Sequence, residues 1–138
     1  CLINDGYAKW VSNYYEQGNE IEVSFYGIDG NPCLQKDGYA KWVSQYDERG
    51  NETEVSYYGI DGKPCLHNYG VAKCIAKYDD RGNCIEEAYY GVDGKPCLNS
   101  NGFAKWTAKY DYSGIIIEIS IYDAVGNDIT KKIINQNQ

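Results

Sequence analysis

The chain of 138 residues has no methionine, a single histidine (His67), three prolines and no long apolar run. Each scarcity removes a class of function. Gly114 to Ile117, continued by Ile119 and Ile121, is the longest apolar stretch, but Glu118 interrupts it and it is too short to span a bilayer. A lone His67 beside Asn68, with no Cys-x-x-Cys, supplies no zinc ligand set, so no metal is expected. That histidine also has no recognisable serine or cysteine partner, and no catalytic residue is assigned. P-loop and dinucleotide fingerprints are missing, and no cofactor is expected. Thirteen Lys and Arg against twenty Asp and Glu give a formal charge of −7 without a basic patch, which argues against nucleic acid and anionic lipid as partners.

What the chain does have is tyrosine and glycine, 15 of each, a composition suited to strands and turns. It also has a repeat. "DGYAKWVSQYDERGNETEVSYYGIDGKPCL", from Asp37 to Leu66, is preceded by a close copy and followed by two eroded ones. Units of 32 residues start at Cys1, Cys33, Cys65 and Cys97, so the chain reads as one repeat domain: units 1–32, 33–64, 65–96 and 97–130, then a polar tail, 131–138. Beginning at Cys1 in mid-repeat, with no initiator Met, the sequence reads as a fragment or a processed piece. The fourth unit drifts after Gly114 and replaces the Cys-Leu opening by Ile129 and Thr130, as expected of a capping copy.

Two turn signatures alternate in each unit. "YYEQGN", "YDERGN", "YDDRGN" and "YDYSGI" come first, with Gly18, Gly50, Gly82 and Gly114 at the position that a three-residue hairpin loop reserves for a left-handed residue. In the second set, Gly30, Gly62, Gly94 and Gly126 suit either the same loop or a two-residue Asp-Gly turn. Pro32, Pro64 and Pro96 belong at the start of a short segment or on an edge. Two hairpin turns per unit predict an all-β array, an extended or curled antiparallel sheet, with a β-solenoid as the alternative.

Placing the first loop at Glu48–Gly50 pairs Tyr46 with Glu52, Ser44 with Glu54, Trp42 with Ser56 and Ala40 with Tyr58. Trp42, Tyr46 and Tyr58 then share a face with Ser44, Ser56, Glu52 and Glu54, while Lys41, Val43, Val55 and Tyr57 share the other. A slip of one residue would exchange partners across the hairpin but keep the alternation within each strand. Val11, Val23, Val43 and Val55 are expected to supply the core, and Lys41 to lie over a neighbouring tyrosine ring.

"YDERGNETEVSYYGIDGKP" resembles the YD or RHS type of repeat, in which a Tyr-Asp pair and a downstream Gly mark successive hairpins of an extended, often curling sheet. In style it is also similar to the Tyr- and Trp-rich hairpin repeats of bacterial cell-wall-binding modules. Both resemblances imply a bacterial protein with a large repetitive portion, at the cell surface or secreted, and neither supplies ligand residues for this chain.

Equivalent cysteines in a hairpin array lie at least two strands apart, roughly 9 to 10 Å, and a disulfide needs Cα atoms within about 7 Å. Cys1, Cys33, Cys65 and Cys97 therefore read as small packing residues beneath Leu2, Leu34, Leu66 and Leu98, unless the units stack as a solenoid. Cys74 stands where other units carry Trp10, Trp42 and Trp106, and Cys84 where Glu20 and Glu52 stand, which leaves a Cys74–Cys84 bond within the hairpin as a further option.

The candidate site is an aromatic row: Trp10, Tyr14, Tyr26, Trp42, Tyr46, Tyr58, Trp106 and Tyr110, with Tyr78, Tyr90 and Tyr122. Exposed, it would hold sugar rings or a quaternary ammonium; packed, it would be the inner layer of a curled sheet. The expected function is a structural and interaction module with a protein partner or self-association through sheet edges, and the alternative is a glycan- or choline-type binding module.

Overall fold

The computed structural model describes residues 6–7, 9–15 and 19–130, with the side chains of residues 14 and 15 outside that description. Eight strands follow one another: β1 (Lys9–Tyr15), β2 (Glu20–Tyr26), β3 (Lys41–Tyr46), β4 (Glu52–Tyr58), β5 (Lys73–Tyr78), β6 (Cys84–Tyr90), β7 (Lys105–Tyr110) and β8 (Ile116–Tyr122). They form one antiparallel sheet in sequence order, and β1 and β8 do not meet, so the sheet is open. Each unit thus contributes two adjacent strands, which excludes the solenoid.

The turns explain why the chain reverses so often. Asp47 N–H donates to the Asn51 carbonyl at 2.9 Å and Gly50 N–H to the Asp47 carbonyl at 3.1 Å, with Gly50 at φ 84°. The Asp47 carboxylate secures the loop by accepting from the backbone N–H of Arg49 and of Asn51, both at 2.9 Å. The second turn has the same form, Gly59 N–H to Lys63 O at 2.9 Å and Gly62 N–H to Gly59 O at 3.1 Å, which rules out the two-residue alternative. Pro64 then bridges Tyr58 beyond the last ladder residue. Gly18 and the tail at 131–138 lie outside the described residues.

A third turn was not anticipated. His67 N–H donates to Val71 O at 3.0 Å and Gly70 N–H to His67 O at 2.8 Å, and Gly38 and Gly102 close the same loop in the neighbouring units. The connection from β4 to β5 is therefore a pair of tight turns, and the residue between them and the strand, Ala40, Ala72 or Ala104, is buried.

Register departs from expectation by one residue. A bulge between Gln45 and Tyr46 keeps Tyr46 opposite Glu52 but sets Ser44 against Val55, Trp42 against Tyr57 and Lys41 against Tyr58. The same irregularity recurs at Lys77/Tyr78 and Lys109/Tyr110. An extra residue in one strand reverses that strand's face beyond it. Alternation within each strand holds, while Tyr58 and Ser56 change places with Tyr57 and Val55. Val43 and Val55 thus lie on opposite faces and do not form the expected common core.

The core is thin, with Val23, Phe25, Val71 and the buried alanines next to the third turns. Neighbouring units are tied at both ends of the strands. Asn68 N–H donates to Asp37 O at 2.8 Å and Ser100 N–H to Tyr69 O at 2.7 Å. At the other end the Tyr78 hydroxyl donates to Glu52 O and the Tyr110 hydroxyl to Cys84 O, each at 2.7 Å.

Cys33, Cys65, Cys74, Cys84 and Cys97 are free, and Cys1 with Leu2 lies outside the described residues. The packing expected of the Cys-Leu openings is half right. The Cys65 thiol meets the Gly38 carbonyl of the preceding unit at 3.8 Å, as Cys97 meets Gly70 at 3.7 Å. Leu34, Leu66 and Leu98, however, are exposed rather than lying over the cysteines, because adjacent residues of an extended segment point opposite ways.

Candidate binding face

Strand pairing divides the side chains into two unlike surfaces. One face carries all six strand lysines, Lys9, Lys41, Lys73, Lys77, Lys105 and Lys109, opposite or beside glutamates and tyrosines. Four of them are neutralised locally: Lys73 Nζ lies 2.9 Å from Glu54, Lys77 Nζ 3.0 Å from Glu86, Lys109 Nζ 3.4 Å from Glu118 and Lys41 Nζ 3.8 Å from Glu22. Lys41 also lies over the Tyr58 ring at 4.8 Å, as the sequence suggests, and Lys105 over Tyr122 at 4.6 Å.

The other face carries no strand lysine or arginine. Along it run Trp10, Phe25, Trp42, Tyr57, Cys74, Tyr89 and Trp106 as cross-strand partners. Here the expected aromatic row divides. Trp10, Trp42, Tyr46, Tyr78, Trp106 and Tyr110 belong to this face, whereas Tyr26, Tyr58, Tyr90 and Tyr122 stand opposite Lys9, Lys41, Lys73 and Lys105 on the charged face. The bulge is the cause for Tyr58, Tyr90 and Tyr122, whereas β1 and β2 pair without a break, from Tyr15 opposite Glu20 to Lys9 opposite Tyr26. Tyr14 pairs with Ile21 through its backbone, and its side chain lies outside the described residues. Trp10 is 55% exposed, while Trp42 and Trp106 are half-buried.

Sequence reasoning missed the ring-to-ring series that the third turns build. Tyr7, Phe25, Tyr39, Tyr57 and His67 follow one another at centroid distances of 4.7, 5.9, 4.8 and 4.4 Å, and Tyr89 meets Phe103 at 5.9 Å. The signal was present as the aromatic residue following the third-turn glycine at Tyr7, Tyr39 and Phe103, which reads as a turn only once Gly6, Gly38 and Gly102 are recognised as turn closers.

Between the two parts of this series lies a depression of about 430 Å³, lined by Tyr57, His67, Tyr69, Cys74, Tyr89 and Phe103, with Glu52 and Glu87 in its wall. Cys74 occupies the place that Trp42 and Trp106 fill in the flanking units, and the missing indole accounts for the space. The Cys74 thiol donates to Glu87 Oε1 at 3.0 Å. Burial, reinforced by that carboxylate, pushes the thiol well above its ordinary range and keeps it protonated, unsuited to nucleophilic attack. Burial likewise raises Tyr57 and Tyr89, so both hydroxyls remain neutral donors. His67 moves the other way: burial lowers it, against the pull of Asp37, and its Nδ1 accepts the Tyr69 backbone N–H at 2.7 Å.

Glu52 accepts from the Ser44 hydroxyl at 2.9 Å and the Tyr46 hydroxyl at 3.2 Å. Among the described residues no group of three His, Cys, Asp or Glu converges to hold a metal. Cys74 and Cys84 share this face, but Cys84 pairs with Tyr78, four residues along β5 from Cys74, and the two are not bonded. Compared with known proteins, the chain matches no family model and no curated relative.

Proposed function

We propose that the chain is a non-catalytic structural and interaction module of a larger bacterial surface or secreted protein, and that it meets a protein partner, or another copy of itself, through its aromatic face and its open edge. The observation that carries this reading is the asymmetry of the sheet: one face pairs four of its six lysines with its own glutamates, and the other carries aromatic and aliphatic side chains over which no second sheet or helix packs among the described residues. The edge adds to it. β8 exposes Ile116, Ile117 and Ile119, where β6 has Cys84, Ile85 and Glu87 in turn, and an apolar edge strand is a template for further pairing. The bacterial and surface setting follows from the resemblance to hairpin repeats alone.

Sedimentation velocity over a wide concentration range tests the self-association arm. The wild-type chain is expected to form larger species as concentration rises, and Ile119→Lys to suppress them. A clean monomer for the wild type throughout would count against association.

A glycan- or choline-type reading has one observation in its favour, the 55% exposure of Trp10. It requires tryptophan fluorescence to quench on addition of cell-wall glycan or choline, and Trp10→Ala to remove most of that change.

A further inference from the structure

We infer that the depression in the third unit is a site for a guanidinium or primary ammonium group carried on a flexible chain. The argument begins with charge. Glu22, Glu54, Glu86 and Glu118 on the opposite face are each paired with a lysine, whereas Glu52 and Glu87 on the aromatic face have no lysine or arginine within ion-pair distance among the described residues. Both are half-buried and both line the same depression. Two carboxylates partly withdrawn from water without a cation are an unbalanced arrangement that a cationic occupant would balance.

Ring chemistry narrows the occupant. Tyr57, Tyr69, Tyr89 and Phe103 line the depression, and a cation over an aromatic face is favoured most where water is scarce. Hydrogen bonding narrows it further. An ionised carboxylate accepts about four hydrogen bonds, and the bonds to Glu52 from Ser44 and Tyr46 and to Glu87 from Cys74 and Tyr89 leave each of these cavity-lining carboxylates with acceptor capacity to spare. A quaternary ammonium cannot use that capacity, whereas a guanidinium donates to a carboxylate while stacking on tyrosine. Cys74 makes the site specific to this unit, because the equivalent Trp42 and Trp106 would fill it.

This inference rests on reading the aromatic face as a contact surface. Its test is an NMR titration of the whole chain at low ionic strength with N-acetylargininamide as probe, and choline and the tripeptide Gly-Arg-Gly in parallel. Saturable shifts centred on Tyr57, Tyr89 and Phe103 are expected. Glu87→Gln and Glu52→Gln are each expected to weaken binding by about tenfold, the scale of one charge-assisted hydrogen bond. Cys74→Trp, which restores the residue of the flanking units, is expected to abolish it with the sheet intact by circular dichroism. Glu86→Gln, on the other face, should leave it unchanged. Tighter binding of the tripeptide assigns the group to a partner protein, and equal binding to a small molecule. No saturable shift, undiminished binding by Cys74→Trp, or choline binding as tightly as the arginine probe would overturn the inference. Failure here with concentration-dependent association intact would remove the pocket and leave the module reading standing.

Discussion

His67 does with a ring nitrogen what its counterparts do with amide oxygens. At the equivalent place in the flanking units Gln35 Oε1 accepts the Asp37 N–H at 2.7 Å, and Asn99 Oδ1 accepts those of Asn101 and Phe103 at 3.0 and 3.3 Å. Nδ1 can accept only while it carries no proton. With its folded value lowered below the ordinary 6.5, His67 binds protons more readily in the unfolded chain. Its contribution is therefore complete above that value and fades as pH falls through the lower, folded one. Asp37 faces the ring and opposes the shift without reversing it. The turn carboxylates Asp47, Asp79, Asp111 and Asp123 act further down: hydrogen bonds, first of all from the backbone of Asn51, Asn83 and Asn127 for three of them and from the Ser113 side chain for Asp111, lower them below 3.8. Their contribution is lost as pH falls through those lower values. Denaturant titration at stepped pH should show the His67 loss first, and His67→Asn should erase that step while keeping the turn. Gly82, at φ 84°, would bring an added Cβ no closer than ordinary contact, 4.0 Å from Asn51 Oδ1, so Gly82→Ala tests backbone strain rather than crowding. Placing a side chain in the left-handed region is expected to cost about 1–2 kcal/mol, read as a lower denaturation midpoint with unchanged slope.

Strands and turns were legible to different depths. The first two glycine turns could be read because a tyrosine and a glycine stand at a fixed offset in each, and alternation within each strand followed from Val, Tyr and Trp at every second place. The bulge could not, because Thr53 looks like any strand residue and its extra place emerges only from the geometry of pairing. It alone separated Tyr58 from Trp42 and so divided the candidate row. The third turn escaped because "LQKDG", "LHNYG" and "LNSNG" share little beyond glycine, the acceptor being Gln, His or Asn in turn. Once the register is known, the charged face becomes predictable in energy. Lys73 and Glu54 belong to neighbouring units and sit 2.9 Å apart on partly exposed chains, 42% and 33%. Such a pair is worth about 0.5 kcal/mol. Lys73→Glu should lose this and add repulsion, and the exchanged pair Lys73→Glu with Glu54→Lys should recover most of it, which a double-mutant cycle on chemical denaturation measures directly.

A single sheet, with no second layer among the described residues, has an unusual balance for its size. The surface is 8892 Å², against about 7,300 Å² for a compact monomer of 15.6 kDa by size scaling. With so little buried at depth, each unit depends on the units beside it, through the ladder, the Asn68–Asp37 and Ser100–Tyr69 backbone bonds, and the arginines of the first turns. Arg49 Nη1 donates to Asp80 O at 2.9 Å and Arg81 Nη1 to Tyr112 O at 2.7 Å, each reaching one unit onward. Stability in such an array is close to a sum of unit and nearest-neighbour terms. Two consequences can be measured by native-state hydrogen exchange. In the wild-type chain β3 to β6, flanked on both sides, should exchange most slowly, and β8, exposed over its first four residues and with β7 as its one neighbouring strand among the described residues, most quickly. Introducing Gly82→Ala should then lower protection chiefly in β5 and β6, next in β4 and β7, and least in β1 and β2. A uniform drop across all eight strands would mean that the sheet unfolds as one unit, and that the long-range ties outweigh the local ones.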